Sequence, residues 1–165
     1  QRPDVMMGPL VSAKQRERVL GYIDKGLAEG AKLALGGGRP QAFDKGYYVE
    51  PTLFVNVDNK MTIAQEEIFG PVLALIGYED ENDAVRIANE SRYGLIGSGM
   101  TSSIERGQAV ARRIRAGVLS ITGGAAHGAE MPFGGYKFSG LGRQNGTAGF
   151  EQYLETKAVA WPIAR

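Results

Sequence analysis

Residues 72–121 read VLALIGYEDENDAVRIANESRYGLIGSGMTSSIERGQAVARRIRAGVLSI, and the fold class turns on them. Val72-Leu73-Ala74-Leu75-Ile76 is a continuous apolar run, the pattern of a strand buried on both faces. Asp80 stands where a helix over 81–91 needs its N-cap. Residues 95–100 are interrupted by glycine but strand-like. Ser102 and Glu105 have the spacing of a capping box opening a helix that carries Val110 and Ile114 and ends at Gly117. Residues 118–121 are again a strand. The order β-α-β-α-β is that of a doubly wound parallel sheet, so an α/β fold is expected.

Upstream, Ser12 and Gln15 form another capping box, and Val19, Leu20, Ile23 and Leu27 recur on one helix face until Gly30 supplies a left-handed stop. A strand is predicted over 31–35, closed by Gly36-Gly37-Gly38. A second extended region is predicted over 47–57, where Leu53, Val55 and Val57 alternate with their neighbours. Downstream the pattern breaks: residues 123–149 hold nine of the chain's 24 glycines. A structureless loop of that length is either functional or misassigned. Residues 156–161 are predicted to be extended and to pair with a sheet edge. No repeat or linker-like shift divides the chain, which is read as one domain over 1–165.

Composition narrows the chemistry. Nineteen basic and 18 acidic residues give a net charge of +1, without the basic excess of a nucleic-acid or anionic-membrane binder. There is no cysteine and one histidine, His127. A disulfide framework, a Cys/His zinc site, a cysteine nucleophile and a two-histidine metal site are therefore excluded within these residues. No stretch approaches the ~20 apolar residues of a membrane span. Gln1-Arg2-Pro3-Asp4 shows neither an initiator Met nor a signal peptide. The chain reads like the interior of a longer one, and a cytoplasmic fragment is expected.

The common signatures of phosphate loops, nucleophile elbows and zinc proteases are missing. Gly140, Gly142 and Gly146 approach a dinucleotide fingerprint at the wrong spacing, and turn-making is their better reading. His127 has the pKa range of a general base. It lacks a Ser or Asp at a suggestive spacing, and the plainer reading is a solvent- or pocket-facing side chain. Arg112, Arg113 and Arg115 suit a solvated helix end. Glu66-Glu67-Ile68-Phe69-Gly70-Pro71 is less ordinary. A carboxylate there could accept both hydroxyl protons of a ribose while the ring covers a flat heterocycle. The residues alone favour a plainer reading, a turn with exposed acids.

The segment Glu66-Glu67-Ile68-Phe69-Gly70-Pro71-Val72 and the segment PFGGYKFSGLGR over 132–143 together resemble the two signatures in the C-terminal part of NAD(P)-dependent aldehyde dehydrogenases. Supporting matches are Met7-Gly8-Pro9-Leu10, GYYVEPTL over 46–53, and Tyr93-Gly94-Leu95. The resemblance covers essentially the whole chain. It implies a parallel-sheet, three-layer α/β portion of a catalytic domain, ending in an oligomerisation strand over 156–161.

In that family a cysteine thiolate attacks the aldehyde and the thiohemiacetal passes hydride to the nicotinamide. Water activated by a glutamate then hydrolyses the thioester. This chemistry needs a thiolate, and the resemblance places nucleophile, base and cofactor loop upstream. The segment alone is expected to be inactive, with no catalytic residue of its own and the rest of the parent chain as its partner.

Glu67 matches the glutamate that holds the nicotinamide ribose, and Phe69 the aromatic beside the nicotinamide; NAD or NADP is the implied cofactor. Phe133 matches an aromatic lining the aldehyde tunnel. His127 falls where relatives carry another tunnel aromatic, which hints at a polar substrate. Ala125, Ala126 and Glu130 belong to the same variable loop. Arg143 and Glu155 resemble a structural ion pair, and the strand over 156–161 implies a homo-oligomer. Two positions depart from the pattern: Gln144 replaces a usual Glu, and Thr122 a common Asn. A rival reading is a non-enzymatic assembly or nucleotide-binding module that reuses the fold.

Overall fold

Helix α1 (Ala13–Ala28) begins where the Ser12 hydroxyl accepts the Gln15 amide at 3.1 Å, satisfying one of the orphan donors of a helix start. Gly30, at φ 93°, turns the chain away after it. The computed structural model describes residues 7–124 and 128–163. After α1 come β1 (Lys32–Leu35), β2 (Thr52–Val55), α2 (Thr62–Gln65), β3 (Val72–Ala74), α3 (Glu81–Glu90), β4 (Tyr93–Gly94), β5 (Ile96–Gly99), α4 (Ile104–Ala111), β6 (Val118–Ile121), β7 (Tyr136–Lys137) and α5 (Gly146–Glu151). They form two compact units, Gln1–Ser91 and Arg92–Arg165.

In the first unit the sheet order is β1-β2-β3. β1 runs antiparallel to β2 with an irregularity between Leu33 and Leu35, and β2 runs parallel to β3 in the register Thr52↔Val72 to Phe54↔Ala74. Phe54, Val19 and Ile23 are fully buried and form the core with Ala31, Val49, Val57, Ile63 and Ile68. Removing a side chain of that size from water contributes roughly 1.5–3 kcal/mol. α3 starts as expected, with the Asp80 carboxylate accepting the Asp83 amide at 2.8 Å.

The apolar run at 72–76 is not covered on both faces in this chain. Val72, Ala74 and Ile76 pack against the core, whereas Leu73 and Leu75 are 63% and 55% exposed. The two-residue period of a strand sends alternate side chains to opposite faces, and only one face has a cover here.

In the second unit β5 and β6 pair in parallel over Ile96↔Val118 to Gly99↔Ile121, with α4 between them in sequence. The β-α-β-α-β run over 72–121 is thus divided: β3 pairs with β2 from earlier in the chain, and β5 pairs with β6. The cap of α4 is Ser103 rather than Ser102: its hydroxyl accepts the Arg106 amide at 3.2 Å and donates to Glu105 at 3.0 Å.

The glycine-rich segment carries structure of its own. β7 pairs antiparallel with β4, Phe133 and Gln144 form an isolated bridge, and α5 follows. Glycines in it and facing it permit backbone to approach backbone. A Cβ on Gly117 would lie 1.6 Å from the Gly134 carbonyl oxygen, and one on Gly134 2.5 Å from that of Gly142. The strand expected over 156–161 is not a strand here. Residues 156–163 are exposed and make no ladder among the described residues, and an edge strand exists only where it has a partner. Among the described residues, no helix is long and apolar enough to cross a membrane.

Candidate functional site

The turn at 66–71 is built by α1. Gln15, Arg18, Val19 and Tyr22 stand at i, i+3, i+4 and i+7, which places them on one stripe of the helix. The Gln15 side-chain amide donates to the carbonyls of Ile68 and Phe69 at 3.2 and 2.9 Å. The Arg18 guanidinium donates to the Glu67 carbonyl at 2.7 Å, and to the Tyr22 hydroxyl at 2.9 Å while lying over the Tyr22 ring. Tyr22 in turn donates to the Glu66 carboxylate at 2.8 Å. Val19 lies so close to Gly70 that a Cβ there would sit 2.5 Å from its Cγ2. On the far side the Thr52 amide donates to the Pro71 carbonyl at 2.8 Å, joining the turn to the sheet.

Held in this way, the turn keeps Phe69 at φ 59°, a left-handed conformation for a bulky residue. Such a conformation costs about 1–2 kcal/mol. Three hydrogen bonds from Gln15 and Arg18, each worth roughly 0.5–1.5 kcal/mol net, offset a cost of that size. The result is an aromatic ring held outward, 75% exposed. Glu67 is exposed as well, and its carboxylate has no hydrogen bond or ion pair among the described residues. Glu66, by contrast, is engaged with Tyr22. An uncommitted carboxylate held in this way can accept both hydroxyl protons of a vicinal diol, and an outward ring can cover a flat heterocycle attached to it. The positions singled out in the sequence, Glu67 and Phe69, are the two that this turn presents. Sequence reading missed Gln15 and Arg18 as its holders. Their helical spacing was visible, but contacts 49 to 54 residues along the chain were not.

The turn's entry is also fixed electrostatically. The Glu29 carboxylate accepts the Thr62 amide and hydroxyl at 2.7 and 2.6 Å, capping α2 immediately before the turn. The Thr62 hydroxyl first, then the Thr62 N–H, and last the Lys25 charge hold Glu29 below the ordinary carboxylate value, against an opposing effect of burial that exceeds that of Lys25.

In the second unit, Phe133 is half-buried beside an open groove of about 510 Å³, which Leu95, Arg143, Gln144, Gln152 and Tyr153 also line. Phe133 and Gln144 exchange backbone hydrogen bonds, both at 2.7 Å, so position 144 acts here through its main chain. The structure gives Arg143 other partners than Glu155. Its guanidinium donates to the carbonyls of Gly135 and Gly142 at 3.0 and 2.6 Å and lies 5.3 Å from the Tyr136 ring centroid. Glu155 is exposed, on a segment with no regular structure to hold it near Arg143. Burial first, and then the Arg115 charge, push the Lys137 ammonium below its ordinary pKa. Thr122, at φ 49°, accepts the Thr101 amide on its hydroxyl and donates that hydroxyl to the Thr101 carbonyl. His127, Ala125 and Ala126 lie outside the described residues. Among the described residues no cluster of three or more His, Asp or Glu is arranged to hold a metal ion.

Comparison with known proteins gives one answer. The model of the aldehyde dehydrogenase family matches residues 1–159. A provisionally named aldehyde dehydrogenase of Staphylococcus saprophyticus is 52% identical over 155 residues, covering 93% of this chain and 32% of that protein. The crystal structure of a Mycobacterium tuberculosis aldehyde dehydrogenase complexed with NAD+ superposes with a TM-score of 0.92 at 52% identity, over 99% of this chain and 34% of that one. An NAD+ complex of a Bacillus cereus aldehyde dehydrogenase gives 0.89 at 44% identity, over 96% and 32%. The chain therefore spans about a third of the length of the proteins it matches.

Proposed function

Because the chain belongs to the aldehyde dehydrogenase family, we propose that it is the C-terminal section of a catalytic domain whose parent enzyme oxidises an aldehyde to a carboxylic acid with NAD or NADP. The observation that carries this reading is the turn at 66–71, with its uncommitted Glu67 carboxylate and its outward Phe69 ring. Bound NAD(P) supplies the hydride acceptor. Glu67 accepts hydrogen bonds from the hydroxyls of the nicotinamide ribose, and Phe69 lies beside the nicotinamide. Both restrict the cofactor to a reactive orientation. Phe133 lines the path of the aldehyde, with His127 and Ala125 on the neighbouring loop. Over one turnover, aldehyde, NAD(P)+ and water give carboxylate, NAD(P)H and two protons. The thiolate that this chemistry needs comes from the rest of the parent chain, since these 165 residues contain no cysteine. The segment over 156–161 gains its strand partner from a second subunit.

The test is aldehyde-dependent formation of NAD(P)H by the full-length protein, native and Glu67→Gln. Charge-assisted bonds worth roughly 1.5–3 kcal/mol correspond to a loss of about 10- to 100-fold in cofactor affinity on removing the charge. Absence of any aldehyde-dependent reduction by the full-length protein would refute the enzyme reading and leave an assembly module in its place. The aldehyde itself is expected to carry a polar group near His127. Equal kcat/KM for native and His127→Phe enzyme across polar and apolar aldehydes would defeat that expectation.

A further inference from the structure

The outward pair Glu67 and Phe69 depends on backbone that α1 holds from behind. We propose that Gln15, assisted by Arg18, is a positioning residue for the cofactor, acting through the conformation of Phe69. This rests on the reading of Glu67 and Phe69 as cofactor contacts. The φ and ψ of residue 69 are the relative rotation of two rigid peptide planes, 68–69 and 69–70. The carbonyls of those planes belong to Ile68 and Phe69, and Gln15 Nε2 bonds both of them. A side-chain amide nitrogen has two donors, so its capacity is spent on setting this one pair of dihedrals. Arg18 holds the preceding plane through the Glu67 carbonyl. Three consecutive carbonyls thus face the helix, leaving the Glu67 and Phe69 side chains exposed on the turn. Gly70 completes the arrangement, because only a residue without Cβ permits this approach to Val19. Without the two Gln15 bonds, a bulky residue at φ 59° relaxes toward negative φ and its ring swings away.

The experiment uses the full-length enzyme with Gln15→Met, which keeps the length of the side chain but has no donor, and Arg18→Met at an exposed position. Calorimetric binding of NAD is compared with binding of ADP, which reports on the adenine half of the cofactor alone, and KM for the aldehyde is measured alongside. NAD affinity is expected to fall on the order of tenfold for Gln15→Met and severalfold for Arg18→Met, as two lost bonds and one lost bond imply. ADP affinity and the aldehyde KM stay at native values. A parallel loss of NAD and ADP affinity would mean a general structural role and overturn the proposal. Native NAD affinity in both variants, with Glu67→Gln weakened, would overturn it while leaving the cofactor reading intact. Native NAD affinity in Glu67→Gln would remove the cofactor reading itself, and this inference with it.

Discussion

Replacing Gly70 with alanine adds one methyl group where the turn at 66–71 packs closely on Val19 of α1. Gly70 has no positive φ, so alanine meets no backbone penalty and the whole cost is steric. The new Cβ would lie 2.5, 2.9 and 3.3 Å from Cγ2, Cγ1 and Cβ of Val19. Val19 is 0% exposed and sits within α1, where a β-branched side chain has a single strongly preferred rotamer. Rotation about χ1 would not move the Val19 Cβ, so the turn must back away from the helix. Overpacking of this kind costs about 1–3 kcal/mol; with three close contacts to a rigid partner, a value near the upper end is expected. Displacement of the turn also lengthens the bonds from Gln15 and Arg18, so NAD affinity falls with stability. Val19→Ala alone opens a cavity, but combined with Gly70→Ala it frees the space that the methyl requires. The double-mutant cycle, read from urea unfolding of the full-length protein, should show a favourable coupling of at least ~1 kcal/mol. Strictly additive effects, or a Gly70→Ala protein of native stability and native NAD affinity, would refute the claim that close packing on Val19 sets the position of the turn.

Phe69→Gly separates strain from recognition: it relieves the left-handed backbone, so stability holds or rises slightly, while NAD binding measured by calorimetry weakens through loss of the ring. Equal NAD affinity in the native and Phe69→Gly proteins would contradict the assigned role. Glu29 gives a pH prediction. Its folded pKa lies below the ordinary carboxylate value of 4.5, so its contribution is complete above that value and disappears as pH falls through the lower, folded one. The Tm advantage of native protein over Glu29→Gln should therefore be present at neutral pH and vanish in acid; an unchanged difference across that range would disprove the linkage. Phe54→Ala, at a fully buried core position, should cost about 3–5 kcal/mol in denaturant unfolding, and a cost below about 1 kcal/mol would mean that the core is not centred there.

Much of the local structure was legible in the sequence because it depends on neighbours in the chain. Ser12 and Asp80 cap the helices that follow them, and Gly30 ends α1, through interactions within a few residues. The cap of α4 was misplaced by one residue because Ser102 and Ser103 are equally able caps. The β-α-β-α-β order established the α/β class, yet the partner of each strand was not contained in it. β3 pairs with β2, from earlier in the chain, and the exposure of Leu73 and Leu75 follows from which face has a cover. The expected strand over 156–161 illustrates the same limit, since extended propensity does not provide a second edge.

For the candidate residues of each unit, identity and position have different origins. Glu67, Phe69 and Phe133 were named because the motifs over 66–72 and 132–143 resemble a family's signatures, whereas the residues alone marked only an unusual turn and a glycine-rich segment. Their presentation is a tertiary property. The left-handed Phe69 and the outward Glu67 rest on contacts with a distant helix, whereas Arg143 bonds the carbonyls of Gly135 and Gly142 within its own segment. Capping, turn formation and binary patterning are short-range and written directly in the order of residues. The orientation of a turn is decided by hydrogen bonds from a helix some fifty residues away, such as those of Gln15 and Arg18, and these exist only once the core of Val19, Ile23 and Phe54 has brought helix and turn together.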